Sequence, residues 1–345
     1  MNMKKTSALW RTISFLSAFC LILATTVMPV AASSQTPSIQ SDQNEDFIAE
    51  IERFLAESVF AFPDSYHISQ FSSFSLGKAI PSFVWDDGDN CVVESTAKVY
   101  PLVKDGVVLG LLHTYSLGQN KYAFSYSEGQ VDAINQAHDN IAFYSNGVNV
   151  RILHESELTP LEESIFMSVT YSSPYEEYVN INVDGCTPLA TLSNPDGHVL
   201  SVPLKKQTTP KSCWAACVAS VAQYLTGRTY SCSGISTGAS MDETIDVVRS
   251  LGLNATNAIT SIYIADLMNY ICDDSPILGG FLYGGNNGHM MVIRGYSSGS
   301  NHFTLLLMDP VDASYVSVQI ISSYNMSFSY AGYSWNLNEY SAVSK

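Results

Sequence analysis

"KKQTTPKSCWAAC", residues 205–217, sets two cysteines, a tryptophan and a glutamine in one short stretch. Three chemistries are open to it. Cys213 attacks a substrate, Cys213 and Cys217 share a metal or a disulfide, or both thiols are small core residues. The residues just beyond it bear on the choice. Trp214, Ala215, Val218, Val221, Ala222 and Leu225 recur at helical spacing until Gly227, and Ser212 stands where an N-cap belongs. Cys213 therefore falls in the first turn of a helix, where unpaired N–H groups and the dipole favour a thiolate. Cys217 lies one full turn deeper, where that help is weak, and reads as a core residue, with a disulfide to Cys232 or Cys272 as the other option.

A cysteine nucleophile needs a base, and the base needs an orienting partner. His289 opens an apolar run ending at Tyr296, and a second run from His302 ends at Asp309. Folded as a hairpin with its turn centred on Gly299, the two runs set His289 opposite Asp309, a carboxylate able to fix the imidazole tautomer and stabilise the imidazolium. His302 falls at the turn, far from Asp309, and is not the base. The oxyanion of an acyl-transfer intermediate needs donors, for which the Cys213 backbone N–H and the Gln207 side chain are candidates. Gly284, Gly285 and Gly288 keep side chains away from the approach to His289. A zinc site built on Cys213, Cys217 and His289 lacks a fourth ligand at metal-like spacing, so no metal or cofactor is expected.

Gln207, five residues, Cys213-Trp214-Ala215, then Gly288-His289 leading a strand, Gly295-Tyr296 at its end and Asp309-Pro310 closing the next resemble the papain-like cysteine peptidases. The chain looks most like the bacterial branch of staphopains, double-glycine leader peptidases and a plant-pathogen effector protease with a similar Ser-Cys-Trp-Ala-Ala-Cys string. The resemblance covers about residues 202–345. It implies Cys213 as nucleophile, His289 as general base and acid, Asp309 as its orienter and Gln207 as oxyanion donor. Papain has Asn where Asp309 stands, and either group can hold the ring. Trp214 is expected to pack behind the nucleophile rather than to form a binding platform.

The remainder of the chain is different in texture. At the start, Lys4, Lys5 and Arg11 precede a largely apolar run and the small residues Val30-Ala31-Ala32, the pattern of an export signal over residues 1–32. Residues 33–200 hold six Lys and Arg against 23 Asp and Glu, whereas residues 201–345 hold seven against nine. An acidic first half excludes nucleic acid as a natural partner. Seven cysteines, one of them Cys20 in the signal, are too sparse for a disulfide scaffold. In the first half, residues 45–62 carry a helical apolar stripe, and residues 97–129 read as two hairpins turning at Lys104-Asp105-Gly106 and Gly118-Gln119-Asn120. His67, His113, His138 and His154 are scattered there without partners of chemical interest. In the second half, Ser240 to Glu243 match a capping box, residues 261–271 give a third helix, and four strands run from Ile277 onward. The Tyr and Ser enrichment after Tyr315 reads as exposed strands.

The expected fold class is α+β throughout: an acidic, strand-rich prodomain over residues 33–200, then a papain-like peptidase domain over residues 201–345 with a helical half and an antiparallel sheet. The expected function is a secreted cysteine endopeptidase made as a zymogen, extracellular or attached to the cell envelope and free of the membrane after signal cleavage. Its partners are a protein or peptide substrate and its own prodomain, which covers the cleft and assists folding until a cut between about residues 187 and 206. The alternatives are another acyl-transfer enzyme on the same triad, such as an amidase or transpeptidase, or a non-catalytic secreted binding protein.

Overall fold

A computed structural model of the chain describes residues 41–345, apart from 72, 87–90, 120, 138, 147–149, 155–169, 183–196, 262, 285–286, 300–301 and 324. The expected export signal, Cys20, His138, Cys186 and Gly285 lie outside the described residues, as does the side chain of Cys91.

The first half begins with α1 (Ser41–Leu55), whose stripe of Phe47, Ile51, Phe54 and Leu55 is buried. At Ala56–Phe60 the helix widens into a π-helical turn instead of continuing regularly to residue 62. That turn re-aims Ser58 and Val59 inward, where both are fully buried. Strands β1 (Ser73–Gly77), β2 (Ser82–Asp86), β3 (Cys91–Glu94), β4 (Ala97–Lys104), β5 (Val107–Gly118) and β6 (Lys121–Ser127) come next. The β4–β5 turn sits at Asp105-Gly106, both with positive φ (52° and 74°), the backbone that a two-residue hairpin requires. Helix α2 (Val131–Ala137) leads to β7 (Ile141–Ser145), β8 (Val150–His154) and β9 (Glu177–Asn182). Both expected hairpins are present.

The second half starts at β10 (Gly197–Val199), then α3 (Cys213–Thr226), α4 (Met241–Ser250), the two-residue β11 (Asn254–Ala255) and α5 (Ile264–Cys272). Helix α3 is apolar nearly all round, with Ala215, Ala216, Ala219 and Ala222 buried, so it lies close to the sheet between other elements. Gly227 ends it in the left-handed region (φ 71°), its N–H bonded to Gln223 O at 2.8 Å. Ser240 and Glu243 form the expected capping box of α4. The strands are β12 (Ile277–Tyr283), β13 (Asn287–Ser298), β14 (Phe303–Asp309), β15 (Ser314–Gln319), β16 (Ser327–Tyr330) and β17 (Tyr333–Ser344).

The described strands form a 13-stranded sheet in the order β11-β17-β12-β13-β14-β15-β6-β5-β4-β1-β9, with β10 beside β13 and β16 beside β17, and a separate four-stranded sheet β3-β2-β7-β8. Pairing is antiparallel except between β2 and β7. The first and second halves meet inside the large sheet, where Val316, Ser317 and Val318 pair with Ser127, Tyr126 and Ser125. Pairing of β15 with β6 closes what would otherwise be an open sheet edge.

Two features differ from the sequence reading. The β13–β14 hairpin pairs Val292 with Met308 and Tyr296 with Leu305, two to three places from the expected register. A bulge at Arg294 contributes to the offset, and that arginine is buried with its guanidinium 3.7 Å from the Tyr315 ring centroid and Nη1 donating to Leu200 O. The strands after Tyr315 are also not exposed. Phe328, Tyr330, Trp335 and Tyr340 are all buried, each large aromatic contributing about 2–3 kcal/mol of apolar burial.

Candidate active site

Helix α3 presents Cys213 at its first position, as its apolar run implies. Ser212 occupies the N-cap position but makes no side-chain cap. Its Oγ accepts from the N–H groups of Thr208 and Thr209, at 3.1 and 2.9 Å, and donates to Thr209 O. The serine therefore folds the loop leading from Gln207, and the first N–H groups of α3 stay free of it.

His289 lies on β13 and Asp309 ends β14. His289 Nε2 is 3.0 Å from Asp309 Oδ1, with both side chains almost wholly buried. Asp309 Oδ1 also accepts from the Val311 N–H at 3.0 Å. The structure thus brings together Cys213, His289 and Asp309 despite the shifted register. Burial would raise the Cys213 thiol, but the hydrogen bond and charge of His289, with the Met290 and Trp214 backbone amides, outweigh it and lower the thiol below its ordinary value. His289 responds in the opposite sense. Burial would lower it, and Asp309, then Cys213, raise it to about 10. With Nε2 on Asp309, Nδ1 has no nitrogen or oxygen partner and is the ring nitrogen left for the sulfur. A lowered thiol beside a raised imidazole favours the thiolate–imidazolium form.

Gln207 is tied to the same corner, its backbone N–H donating to Pro310 O at 2.8 Å. Its side-chain Oε1 is buried without a partner. A cleft of about 250 Å³ is lined by Cys213, Trp214, Met241, Phe281, His289 and Glu339. Gly288 leaves open space beside His289, as expected for an approach by an extended chain. Trp214 lines this cleft besides packing, like Tyr230 and Ile235, against the buried cluster of Ala215, Ala216, Ala219 and Cys232, and its Nε1 donates to Thr237 O. Every described lining residue comes from the second half, so no described part of residues 41–200 covers the cleft.

Cys217 is fully buried, its Sγ 3.3 Å from Met290 O, and burial, then the charges of Cys213 and Asp309, push its thiol well up. Cys213, Cys217, Cys232 and Cys272 are all free thiols, so neither optional disulfide forms. Among the described residues no cluster of His, Cys and carboxylates could hold a metal. His302 sits 3.2 Å from Glu57, away from the site.

Two residues beyond the reach of sequence reasoning complete the site. Trp335 packs its ring at 6.0 Å and 67° from the His289 ring, on the side of a buried aromatic cluster. Tyr330 is also buried, and burial, then the charge of Asp309, push its hydroxyl well up. Both stand in the Tyr-rich tail, whose aromatics at alternate positions are the signal of a buried strand face.

Residues 197–329 match the model of a family described as papain-like cysteine protease AvrRpt2. A search among curated proteins returns no significant match. The match supports the papain-like family and does not extend to the staphopain or double-glycine leader peptidase branch. This segment is a cysteine-type peptidase domain of mixed helix and antiparallel sheet, and its substrates are proteins or peptides.

Proposed function

We propose that the chain is a secreted cysteine endopeptidase, made with an export signal over residues 1–32 and as a zymogen whose acidic segment spans residues 33–200. Peptide bonds are hydrolysed through a Cys213–His289–Asp309 triad. The observation that carries the reading is a single imidazole shared between a thiol at a helix start and a buried carboxylate, which lowers the thiol while raising the ring.

The Cys213 thiolate attacks the scissile carbonyl carbon, and the C=O π electrons move onto oxygen. That oxyanion accepts from the Cys213 N–H, which has no intrahelical acceptor at the first helical position, and from the Gln207 side-chain amide N–H. As the C–N bond breaks, the imidazolium of His289 gives its proton to the leaving amine and an acyl-enzyme remains. Water then loses a proton to His289, attacks the thioester carbon and expels the thiolate. Asp309 keeps the ring in register through both steps. The glycine-lined approach at Gly288 suits an extended peptide backbone.

The test is hydrolysis of casein or a peptide by processed wild-type protein and by Cys213→Ala cut in the same way. A loss of about 10³-fold or more is expected for a nucleophile. Unchanged hydrolysis overturns the reading. An amino terminus near Ser33 on protein recovered from the culture medium tests export.

A further inference from the structure

Glu339 is the only carboxylate among the described residues that line the cleft with Cys213 and His289. Regular strand alternation would not place it there. Trp335 and Leu337 of β17 are buried, so a two-residue period would carry residue 339 to the buried side as well. Gly280 of β12 pairs with Glu339 and Phe281 with Leu337, which leaves Asn338 as the extra residue of a bulge. After it the period restarts: Tyr340 is fully buried, whereas Asn338 and Glu339 both line the cleft. The bulge therefore brings to the substrate side of the sheet a charge that regular pairing would bury.

The space beside that carboxylate is kept open. A Cβ on Gly280 would come 3.2 Å from Glu339 Cγ and 3.5 Å from Met241 Cε, so glycine leaves a slot between the two side chains. Trp214, Met241, Leu282 and Met290 give the cleft apolar walls. Glu339 pairs with no cation among the described residues. Its charged neighbour is Asp242, the residue after Met241 in α4, and burial, then Asp242, raise Glu339 above its ordinary value. Glu243 is held in the capping box by the Ser240 N–H, and Lys211, which also lines the cleft, is exposed and is not among the charges acting on Glu339. The strand that carries Glu339 is fixed at its start by the first half. Gly332 N–H, in the tight turn between β16 and β17, donates to the Tyr115 hydroxyl at 3.3 Å, and the Tyr333 hydroxyl donates to Trp85 O at 3.0 Å and Ser145 O at 3.1 Å. The catalytic hairpin of β16 and β17 is thereby seated on the first half, and the slot is preformed.

We propose that Glu339 is a specificity-determining residue of the peptidase: the slot beside Gly280 takes a lysine or arginine side chain of the substrate, its methylene stem against Met241 and its cationic head at the Glu339 carboxylate. The inference rests on the peptidase reading above and names its substrate class, proteins cut near a basic side chain. A long basic side chain suits both surfaces at once, since its stem is apolar and its head charged. An acidic side chain at the same position would meet Glu339 and Asp242 with like charge. The net charge of −16 attracts cationic segments in the same sense over longer range.

The experiment uses the full chain, processed as for the hydrolysis test, and a library of peptides with acetylated amino termini, so that a cation in the cleft comes from a side chain and not from a chain end. Cleavage products are sequenced by mass spectrometry, and Lys and Arg are expected at one fixed position relative to the cut bond. Next, kcat/KM is measured for a peptide with Lys at that position and for its norleucine twin, in wild type, Glu339→Gln and Glu339→Lys. The ratio of Lys to norleucine is expected to fall about fivefold in Glu339→Gln, the worth of a partly exposed ion pair. Glu339→Lys is expected to prefer Glu over Lys at that position, a gain that a misfolded protein cannot show. Absence of a basic preference in the wild type, an unchanged ratio in Glu339→Gln, or a Glu339→Lys protein that still prefers Lys overturns the proposal and leaves the peptidase reading standing. No cleavage of any library peptide, with Cys213 alkylated by iodoacetamide no faster than Cys232, defeats the peptidase reading itself.

Discussion

His289 Nε2 meets Asp309 Oδ1 at 3.0 Å although the two residues are not cross-strand partners. The pairing of Val292 with Met308 extends to put Asp309 beside Met291, so the carboxylate reaches His289 diagonally. A diagonal contact depends on the Asp309 rotamer, which the Val311 N–H holds.

Asp309→Asn keeps a group able to accept from the ring and removes its charge. Asp309 is the main influence raising His289 to about 10, so His289 falls towards its ordinary 6.5 in the variant. A general acid must be protonated, so activity disappears as pH rises through its pKa. The alkaline limb of kcat/KM, near pH 10 in the wild type, therefore moves to lower pH. A pH–rate profile of the two proteins checks this.

Gln207→Ala removes one oxyanion donor and leaves the backbone tie to Pro310 intact. A fall of about 10²-fold in kcat with KM nearly unchanged is expected, since the donor acts on charge that develops only in the transition state. An equal rise in KM would instead assign Gln207 to substrate binding.

Cys217→Ala leaves hydrolysis and the Cys213 labelling rate close to wild type. Burial and neighbouring charges keep the Cys217 thiol protonated, so it does not compete for an electrophile. Its S–H contact with Met290 O and its packing are lost, at about 1–2 kcal/mol of stability measured by denaturant unfolding.

His113 is buried between the Phe143 and Tyr330 rings, and burial lowers it from 6.5 to about 4. The unfolded chain binds the proton first as pH falls, so the stability present above about 6.5 is lost progressively down to about 4. The full loss is about 3 kcal/mol. Melting temperatures across that range should drop less steeply for His113→Phe than for the wild type.

If the chain is cut ahead of Gly197, the two fragments stay together. Strand β6 pairs with β15, and Tyr66 and Ser317, like Ser58 and Thr304, share buried hydroxyl contacts across the junction. Gel filtration of nicked protein should give one peak that separates only in denaturant. Free, active second half would contradict the seating of the catalytic hairpin on the first.

Local chemistry made much of the site legible. A cap position, a 3.6-residue apolar stripe and a glycine stop locate Cys213 at a helix start, and Gln207 and His289 follow from what a thiol nucleophile needs. The α+β class, the capping box at Ser240 and the hairpin turn at Asp105-Gly106 are equally local, each set by residues a few positions apart. Tertiary structure decided the rest. The bulge at Arg294 is tied to packing against Tyr315 and Leu200 O, which no count along β13 contains. The seating of Gly332 on Tyr115 and of Tyr333 on Trp85 carries no motif, because residues some two hundred positions apart leave no periodic trace of their meeting. Their contact exists because β6 closes the edge of β15, and pairing between distant strands is settled by the packing of the whole sheet.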